Sequence, residues 1–231
     1  MTRLAGIDGC PAGWLRLESE EGTISVRVFP TASELFADAG RFRVLAIDIP
    51  IGLPDSAPRA VDLVARKLIQ PRGSSVFPAP PRSTLAATDY ADACARARVA
   101  CGKALSQQAF AILPKIREVD TAMRTRPELT ARVYEVHPEV CFRTWSAASL
   151  REPKKSGLGF TARLGLVNAV FPGEFERVRR DIGRRTAADD DILDAFAALW
   201  TAGRIARGTA ITLPHADPPV DSAGLPMQML A

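Results

Sequence analysis

Two aspartates interrupt short apolar runs of the chain, where an ionised carboxylate is costly. Asp8 lies in the segment RLAGIDGC (3–10), and Asp48 is the one charged residue of VLAIDIPIGLP (44–54). A lone carboxylate in a dry core costs several kcal/mol unless it is paired or keeps its proton. Two such carboxylates in separate segments therefore indicate that they share a partner.

Further acids occur where they could join this pair. Asp191 and Asp194 lie three positions apart in DDDILDAF (189–196), on one face of a predicted helix, and Glu135 ends the strand-like segment RVYEV (132–136). Like charges held together repel strongly unless a cation neutralises them. Carboxylate oxygens suit Mg²⁺ or Mn²⁺, and two such ions can activate water and stabilise the leaving oxygen in phosphodiester cleavage. We therefore predict a catalytic metal site formed by Asp8, Asp48, Glu135, Asp191 and Asp194.

Structural alternatives stay open for these acids. Asp8 and Asp48 could instead cap turns by accepting backbone hydrogen bonds near Gly9 and Gly52. The acidic start of the last helix could simply stabilise the helix N-terminus, where negative charge is favoured. Taken singly, Asp8 and Asp48 favour the turn interpretation, whereas the set as a whole favours a metal.

Hydrophobic periodicity and turn residues predict the strands that would bring these acids together. Strands are expected at residues 3–9, 14–18, 23–29, 44–49 and 132–136. The first three should form an antiparallel meander, and a right-handed crossover should place the fourth parallel to the first, with the fifth beside the fourth. Asp8, Asp48 and Glu135 would then meet at the carboxyl ends of parallel strands, where open α/β sheets bind ligands. The predicted fold class is α/β, with a mixed central sheet flanked by helices.

Helices are predicted around this sheet, and a short strand is predicted near the C-terminus. The expected helices cover residues 31–40, 58–69, 88–123, 161–170, 173–183 and 187–206, and the expected edge strand is 227–230. Pro114 should kink the long helical segment or start a new helix within it. Ala195, Ala198 and Ala202 should let the last helix approach the sheet closely, which would carry its aspartates toward the first strand.

The proline-rich segment PRGSSVFPAPPRST (71–84) is too long for a simple connection and predicts a lid or a binding loop. Arg72, Ser74 and Ser75 within it are candidate substrate-binding residues. The alternative is a mobile insert without a role in function.

Three lysines are candidates for contact with a phosphoryl group. Lys115 in LPKIREVD (113–120) is a candidate catalytic residue, because a lysine there would neutralise charge in the transition state. Lys154 and Lys155 precede SGLG (156–159), whose backbone N–H groups could bind phosphate at a helix N-terminus, and we predict that both lysines bind substrate. The alternative is a set of solvent-facing lysines and a flexible loop.

Charge and hydropathy limit the class of protein. The 231 residues carry a net charge of +4, and the sequence pI is about 9.1. This balance permits a polyanionic partner such as nucleic acid without requiring one. Because no run approaches the roughly 18 to 20 apolar residues of a membrane span, and the N-terminal residues show no signal-peptide pattern, we expect a cytoplasmic protein with no membrane partner. The oligomeric state stays open, with a dimer as one option.

The cysteines argue against a structural zinc site. They are Cys10, Cys94, Cys101 and Cys141, none of them in a C-x-x-C pair, and the chain has 2 histidines. This set predicts reduced and mostly buried thiols.

Six segments together resemble a group of ribonuclease H-like predicted nucleases, domain-of-unknown-function family 429. They are GIDGCPAGW (6–14), AIDIPIGLP (46–54), SVFPAPPR (75–82), LSQQAFAILPKIREVD (105–120), YEVHPEVCF (134–142) and DDILDAFAALWTA (190–202). The segments span nearly the whole chain, and their combination is specific although each alone is weak. The resemblance implies a ribonuclease H-like fold, which we expect to form a single domain over residues 1–231 with an inserted loop and helical region at about 50–130.

The acid positions resemble, more distantly, those of Holliday-junction resolvases. By that likeness Asp8 is the ligand of the first strand and Asp48 matches the acid of the fourth. Asp191 and Asp194 match the spaced aspartates of the final helix. Resolvases usually carry Glu where this chain has the shorter Asp48, and Glu135 is expected to supply the missing reach.

The sequence thus predicts a divalent-metal-dependent nuclease or related phosphoesterase, with Mg²⁺ or Mn²⁺ as cofactor and nucleic acid as partner. The alternative is a non-catalytic nucleic-acid-binding or scaffold protein on the same fold. An ATP-dependent kinase of the actin-like superfamily is disfavoured, because the chain is short for two copies of the fold and has no G-x-x-x-x-G-K-[ST] loop.

Overall fold

A mixed five-stranded sheet forms the centre of the protein. A computed structural model describes residues 2–56, 58–215 and 217–231. The strands are β1 (Arg3–Cys10), β2 (Gly13–Glu20), β3 (Thr23–Phe29), β4 (Val44–Ile47) and β5 (Val133–Glu135), in the spatial order β3-β2-β1-β4-β5. The first three strands are antiparallel, whereas β4 is parallel to β1 and β5 is parallel to β4. The predicted α/β class, antiparallel meander and parallel neighbours are confirmed.

Helices flank the sheet. In the described part of the chain the α-helices are α1 (Ala32–Leu35), α2 (Ala60–Leu68), α3 (Tyr90–Cys101), α4 (Gln107–Ala111), α5 (Leu113–Thr125), α6 (Pro138–Trp145), α7 (Gly157–Val170), α8 (Glu174–Asp181) and α9 (Asp189–Arg207). Short 3-10 helices cover Ala39–Arg41, Gly73–Ser75, Arg82–Ala86 and Pro127–Ala131. Two further strands, β6 (Thr212–Leu213) and β7 (Met229–Leu230), pair antiparallel in a separate small sheet.

Both faces of the central sheet are buried, which explains the continuous apolar run of β4. All four residues of β4 are buried. On one face Ile47 packs in a core that includes Ile116 of α5. On the other face Ala46 packs in a core that includes Phe196 and Leu199 of α9. A central strand covered on both faces has no solvent side on which polar residues would be favoured.

The long helix α9 lies directly against β1. A Cβ atom added at Gly6 would be 2.3 Å from the carbonyl oxygen of Ala195 and 2.2 Å from the backbone nitrogen of Leu199. Ala195 and Ala198 are completely buried beside this contact. The predicted close approach of the last helix to the sheet is confirmed, and Gly6 is the residue of the strand that permits it.

The predicted helical segment 88–123 is divided into three helices. The first of them, α3, ends at Gly102, whose φ of 73° is in the left-handed region that favours glycine. Pro114 stands in the first turn of α5, where its missing N–H is tolerated. Of the two outcomes predicted for Pro114, the structure shows a new helix.

Three other expectations differ from the structure at the ends of elements. The helix predicted at 31–40 is limited to α1, which Thr31 caps by accepting a hydrogen bond from the Glu34 N–H at 3.3 Å. The sequence pattern predicted only the end of a strand at His137-Pro138, whereas α6 begins there with Pro138 in its first turn. The C-terminal strand β7 is shorter than predicted, and it pairs with β6 instead of joining the central sheet.

Two expectations from composition can be compared with the structure. Within the described residues, no helix combines the length and the apolar character that a membrane crossing requires. The four cysteines are free thiols, three of them buried and Cys101 half-buried, as the sequence predicted.

Candidate functional site

Asp8 and Asp48 lie beside each other at the carboxyl ends of two parallel strands. The last pair in the β1–β4 ladder is Ile7 with Ile47. The Asp48 N–H then donates to the Ile7 carbonyl at 3.0 Å, which continues the ladder by one step. Neighbouring strands are about 4.8 Å apart, so the two aspartates leave the sheet close together at its carboxyl edge.

Asp194 reaches the same edge from α9. The contact of α9 with Gly6 fixes the helix against β1, two residues before Asp8 in the strand. Asp194 is 3% exposed and lines one cleft together with Asp8 and Asp48. Three elements that are distant in the sequence thus each contribute one carboxylate to this cleft.

The cleft has a volume of about 450 Å³ and is not purely acidic. Its other polar or aromatic lining residues are Arg72, Ser75, Phe77, Lys115, His137, Glu139 and Lys154. They come from the loop after α2, from α5, from the start of α6 and from the segment that precedes α7. A ligand in the cleft would therefore contact both carboxylates and cations.

Burial and mutual repulsion oppose ionisation of the three carboxyl groups. Burial is the largest cause that raises the pKa of Asp8 well above its usual range, and the charges of Asp48 and Asp194 raise it further. Burial also raises the pKa of Asp48 and that of Asp194 to about 7, although Lys154 opposes both shifts. Three bare negative charges are therefore unfavourable in the cleft at neutral pH, and a cation among them is favourable.

Lys154 supplies such a cation from within the chain. Its ammonium nitrogen lies 2.5 Å from Oδ2 of Asp194 and 3.4 Å from Oδ2 of Asp190. Burial alone would lower the pKa of Lys154, but Asp194, and after it Asp8 and Asp190, raise the pKa above its ordinary value. Lys154 is therefore charged, and it partly neutralises the acidic group.

The carboxylates suit a hard divalent cation in chemical type. They offer oxygen ligands with negative charge, as Mg²⁺ and Mn²⁺ prefer. Across residues 2–56, 58–215 and 217–231, however, no group of three or more His, Cys, Asp or Glu side chains is assembled so that it could hold a metal ion as it stands. Since Lys154 is bonded to Asp194, a metal that uses Asp194 would have to displace this ammonium group.

Glu135, predicted as a metal ligand, is engaged elsewhere. Its oxygens accept hydrogen bonds from Nη1 and Nη2 of Arg59 at 2.7 and 2.8 Å, and from the Ile51 N–H at 2.6 Å. Arg59 also donates to Asp62, at 2.6 Å. Burial raises the pKa of Glu135 to about 7, and Arg59 opposes that shift. Glu135 is not among the residues that line the cleft.

Asp191 mainly serves the start of its own helix. Its Oδ2 accepts a hydrogen bond from the Ala188 N–H at 2.8 Å, which satisfies a backbone donor before the first turn of α9. Asp191 does not line the cleft, but its charge is close enough to raise the pKa of Asp8. The helix N-terminus alternative considered for the acidic segment thus describes this residue.

Lys115 lines the cleft and is held in a fixed position. Its ammonium group donates to the Gly13 carbonyl and lies 4.5 Å from the centre of the Trp14 ring. A Cβ atom on Gly9 would be 3.1 Å from Cδ of Lys115, so the lysine stem packs closely over the turn that follows Asp8. The structure therefore places two of the three predicted phosphoryl-contact lysines, Lys115 and Lys154, in the cleft with the acids.

The remaining predicted substrate-binding residues divide into two groups. Arg72 and Ser75 line the cleft, and Nη2 of Arg72 donates to the Ser75 hydroxyl at 3.0 Å. Ser74 and Lys155 are exposed and do not line it. The 3-10 turn Gly73–Ser75 places Arg72 and Ser75, three positions apart, at the cleft and leaves Ser74 exposed, which a one-dimensional pattern could not distinguish.

Two titratable residues of the cleft, His137 and Glu139, were not predicted from the sequence. Arg163 holds Glu139 through two hydrogen bonds of 2.7 and 2.8 Å, and Nε2 of His137 lies 3.3 Å from the Ser75 carbonyl oxygen. Burial lowers the pKa of His137. Their position directly after β5 could have indicated them, because β5 is the third parallel strand to end at this edge of the sheet.

Comparison with known proteins identifies a family. The family model described as "Protein of unknown function (DUF429)" matches residues 6–218. The chain belongs to the DUF429 family. The matched range includes all three cleft aspartates and every lining residue named above. No curated protein and no solved structure matches the chain.

The DUF429 chain has a sheet that is consistent with a ribonuclease H-like fold. The relevant features are the antiparallel meander followed by parallel strands, in the order β3-β2-β1-β4-β5, and the flanking helices. The family description itself assigns no activity.

Proposed function

We propose that this DUF429 protein is a divalent-metal-dependent phosphodiester hydrolase, either a nuclease or a related phosphoesterase. The observation that carries the proposal is the meeting of Asp8, Asp48 and Asp194 in one cleft. Burial and mutual repulsion make their ionised forms costly, and acids with strongly raised pKa values in a cleft are typical of functional sites.

In this proposal Asp8, Asp48 and Asp194 would hold Mg²⁺ or Mn²⁺, and the ion would supply water activation and neutralise charge at the phosphoryl group. Lys115 binds a non-bridging phosphate oxygen, since its ammonium is already fixed beside Gly9 and needs little ordering. Arg72 binds a second phosphate oxygen through guanidinium donors at the cleft surface. Glu139, held by Arg163, keeps Arg72 in place from 3.6 Å.

Nucleic acid is the substrate class that the charges support. Arg72, Lys115 and Lys154 all line the cleft, and the whole chain has a net charge of +4. A phosphate group can bind such cations directly, and it can approach the carboxylates when a divalent ion lies between them. An uncharged ester would bring no negative charge to Arg72 and Lys115.

The test is hydrolysis by the purified protein with Mn²⁺ or Mg²⁺ of single-stranded DNA, single-stranded RNA, duplexes and a small phosphodiester. Asp8→Asn and Asp194→Asn should each lower the rate roughly 100-fold or more, as is typical when a charge-stabilising group of an active site is removed. Asp181→Asn on the outer helix α8 is the matched control and should retain the activity. Hydrolysis that survives Asp8→Asn unchanged would refute the proposed site.

A second candidate is a non-catalytic nucleic-acid-binding protein, and the position of Lys154 favours it. An ammonium group bonded to Asp194 neutralises acids without any metal. Calorimetric titration with Mn²⁺ separates the two candidates, because only the hydrolase requires the ion at these carboxylates.

Variants of Lys154 make the Mn²⁺ titration more decisive. If a metal competes with Lys154, then Lys154→Met should strengthen Mn²⁺ binding about tenfold, whereas Lys155→Met, at an exposed neighbour, should change it little. Absence of Mn²⁺ binding in both the wild type and Lys154→Met would favour the non-catalytic protein.

A further inference from the structure

An exposed phenylalanine stands at the cleft among charged side chains. Phe77 is 44% exposed and lines the same cleft as Asp48, Arg72 and Lys115. The ring therefore gains only part of the stabilisation that complete burial would give. Its position in the cleft, next to charged groups, leaves the exposed part of the ring available to a ligand.

Hydrogen bonds fix the segment of the chain that carries Phe77. The neighbouring Val76 is 1% exposed, and its carbonyl accepts a hydrogen bond from Nη1 of Arg66 at 2.6 Å. Two residues after Phe77, the Ala79 N–H donates to the buried Asp62 at 2.8 Å. The backbone is therefore fixed on both sides of Phe77, and the ring projects from a firm support.

Phe77 shares the cleft with the cationic side chain of Arg72. Arg72 begins the 3-10 turn that leads to Phe77, and its Nε is a buried donor with no hydrogen-bond partner. Glu139 lies 3.6 Å from that nitrogen but is already bonded twice by Arg163. The terminal nitrogens of the Arg72 guanidinium, and not the buried Nε, are therefore the donors that an anion in the cleft could reach, a few residues from the exposed ring.

We propose that Phe77 is a stacking platform for one unpaired base, with the adjoining phosphate bound by Arg72 and Lys115. The ligand is then single-stranded nucleic acid, since a base inside a duplex has both faces covered by its neighbours and offers none to Phe77. The cleft of about 450 Å³ falls within the range of roughly 300 to 1,000 Å³ of small-ligand sites, which suits one nucleotide unit. This inference rests on the proposed function, because it takes the ligand of the same cleft to be nucleic acid.

Binding without metal tests the platform independently of hydrolysis. A fluorescently labelled oligothymidylate is titrated with the protein in EDTA, where Lys154 still partly neutralises the acids, and anisotropy gives the dissociation constant. Phe77→Ala should weaken binding roughly 5-fold to 150-fold, the effect of losing one stacked base. Phe77→Trp should retain or strengthen it, and Leu63→Ala, at another exposed apolar residue on α2, should leave it unchanged.

Each result of this titration decides the inference. Wild-type protein that does not bind the single strand, or Phe77→Ala that binds as well as wild type, overturns it. A matching duplex bound as tightly as the single strand, with the same loss in Phe77→Ala, also overturns it.

The outcome is separable from that of the proposed function. Phe77-dependent binding without any Mn²⁺-dependent cleavage would sustain the platform and refute the hydrolase. Cleavage that depends on Asp8, with no effect of Phe77→Ala on binding or rate, would support the hydrolase and refute the stacking platform. Melting temperatures of both Phe77 variants show whether a loss of binding reflects a loss of folding.

Discussion

The acids of the cleft illustrate how a single residue can work against the stability of its own fold. Asp48 stands at the end of β4, where burial favours its protonated form. Lys154 compensates only in part, since its ammonium group is bonded to Asp194 and Asp190. Residues that cost stability in this way are expected where function requires them.

The pH dependence of stability should reveal this cost. Folding raises the pKa of Asp48 from 3.8 to about 7, so the folded state binds more protons than the unfolded state between these values. The stability contributed by the bound proton is present below pH 3.8 and is lost as the pH rises through about 7. Asn cannot ionise, so Asp48→Asn avoids this loss of stability at high pH. It should raise the free energy of unfolding of the metal-free protein at pH 8 by about 1–3 kcal/mol, with little effect at acidic pH.

Urea unfolding in EDTA at pH 4 and pH 8 measures the difference. An equal effect of Asp48→Asn at both pH values would show that the change acts through packing and not through the charge of the carboxylate.

At the scale of secondary-structure elements, the position of α9 decides whether Asp194 can reach Asp8. The helix packs backbone to backbone against β1, and Gly6 leaves the required space. The alanines on the contacting face of α9 keep the helix axis near the strand. The glycine of the strand and the alanines of the helix therefore form one structural device for placing a carboxylate.

Gly6→Ala tests this device. The new Cβ would lie 2.2 Å from the backbone nitrogen of Leu199, and backbone atoms cannot yield as a flexible side chain can. We expect a loss of about 3 kcal/mol or more in the free energy of unfolding, together with weaker Mn²⁺ binding because Asp194 is displaced.

Gly165→Ala is the matched control, since it lies in the helix α7 with no atom within 4 Å of the added Cβ. It should stabilise the protein by up to about 1 kcal/mol, because alanine is the better helix former. A Gly6→Ala variant as stable as wild type would contradict the close packing of α9 on β1.

A buried group of charged side chains fixes the loop between β4 and α2. The buried group of Arg59, Asp62 and Glu135 connects the end of β5 with the start of α2. Glu135 also accepts a hydrogen bond from the Ile51 N–H, three residues after Asp48. Glu135 therefore supports the segment that carries Asp48 without lining the cleft itself.

At the scale of the whole molecule, the region at about 50–130 shares the core of the sheet. Ile116 of α5 packs in the same cluster as Ile7 and Ile47. Near the other end of the chain, Asp221 accepts a hydrogen bond from the Leu53 N–H at 2.8 Å and pairs with Arg82. These contacts tie the inserted region to the strands and to the C-terminal segment.

We accordingly expect one cooperative unfolding transition for the full chain. Far-UV circular dichroism reports mainly the helices, and tryptophan fluorescence includes Trp14, whose indole donates to Glu118 of α5 at 3.0 Å. In a urea titration both signals should have the same midpoint, as a single domain requires. Two separated midpoints would show that the inserted region unfolds independently, against the predicted single domain.

Much of the central sheet could be predicted from local patterns. The alternation of apolar residues in Thr23–Phe29 and the continuous apolar run in Val44–Ile47 are each visible within a few residues of sequence. Short connections between strands then limit which strands can be neighbours. The least accurate predictions were at Gly102 and Pro138, where one residue changes the backbone without altering the surrounding apolar pattern.

The sequence by itself determined the strand order, the edge at which Asp8 and Asp48 emerge, and the close approach of α9, because periodicity and small residues are local properties of the chain. Only the tertiary structure decided which charges meet. Glu135 pairs with Arg59 across 76 positions, and Lys154 bonds Asp194 across 40. A carboxylate near the right edge can bind a metal or an arginine, and the choice depends on which cation the fold brings within hydrogen-bond distance.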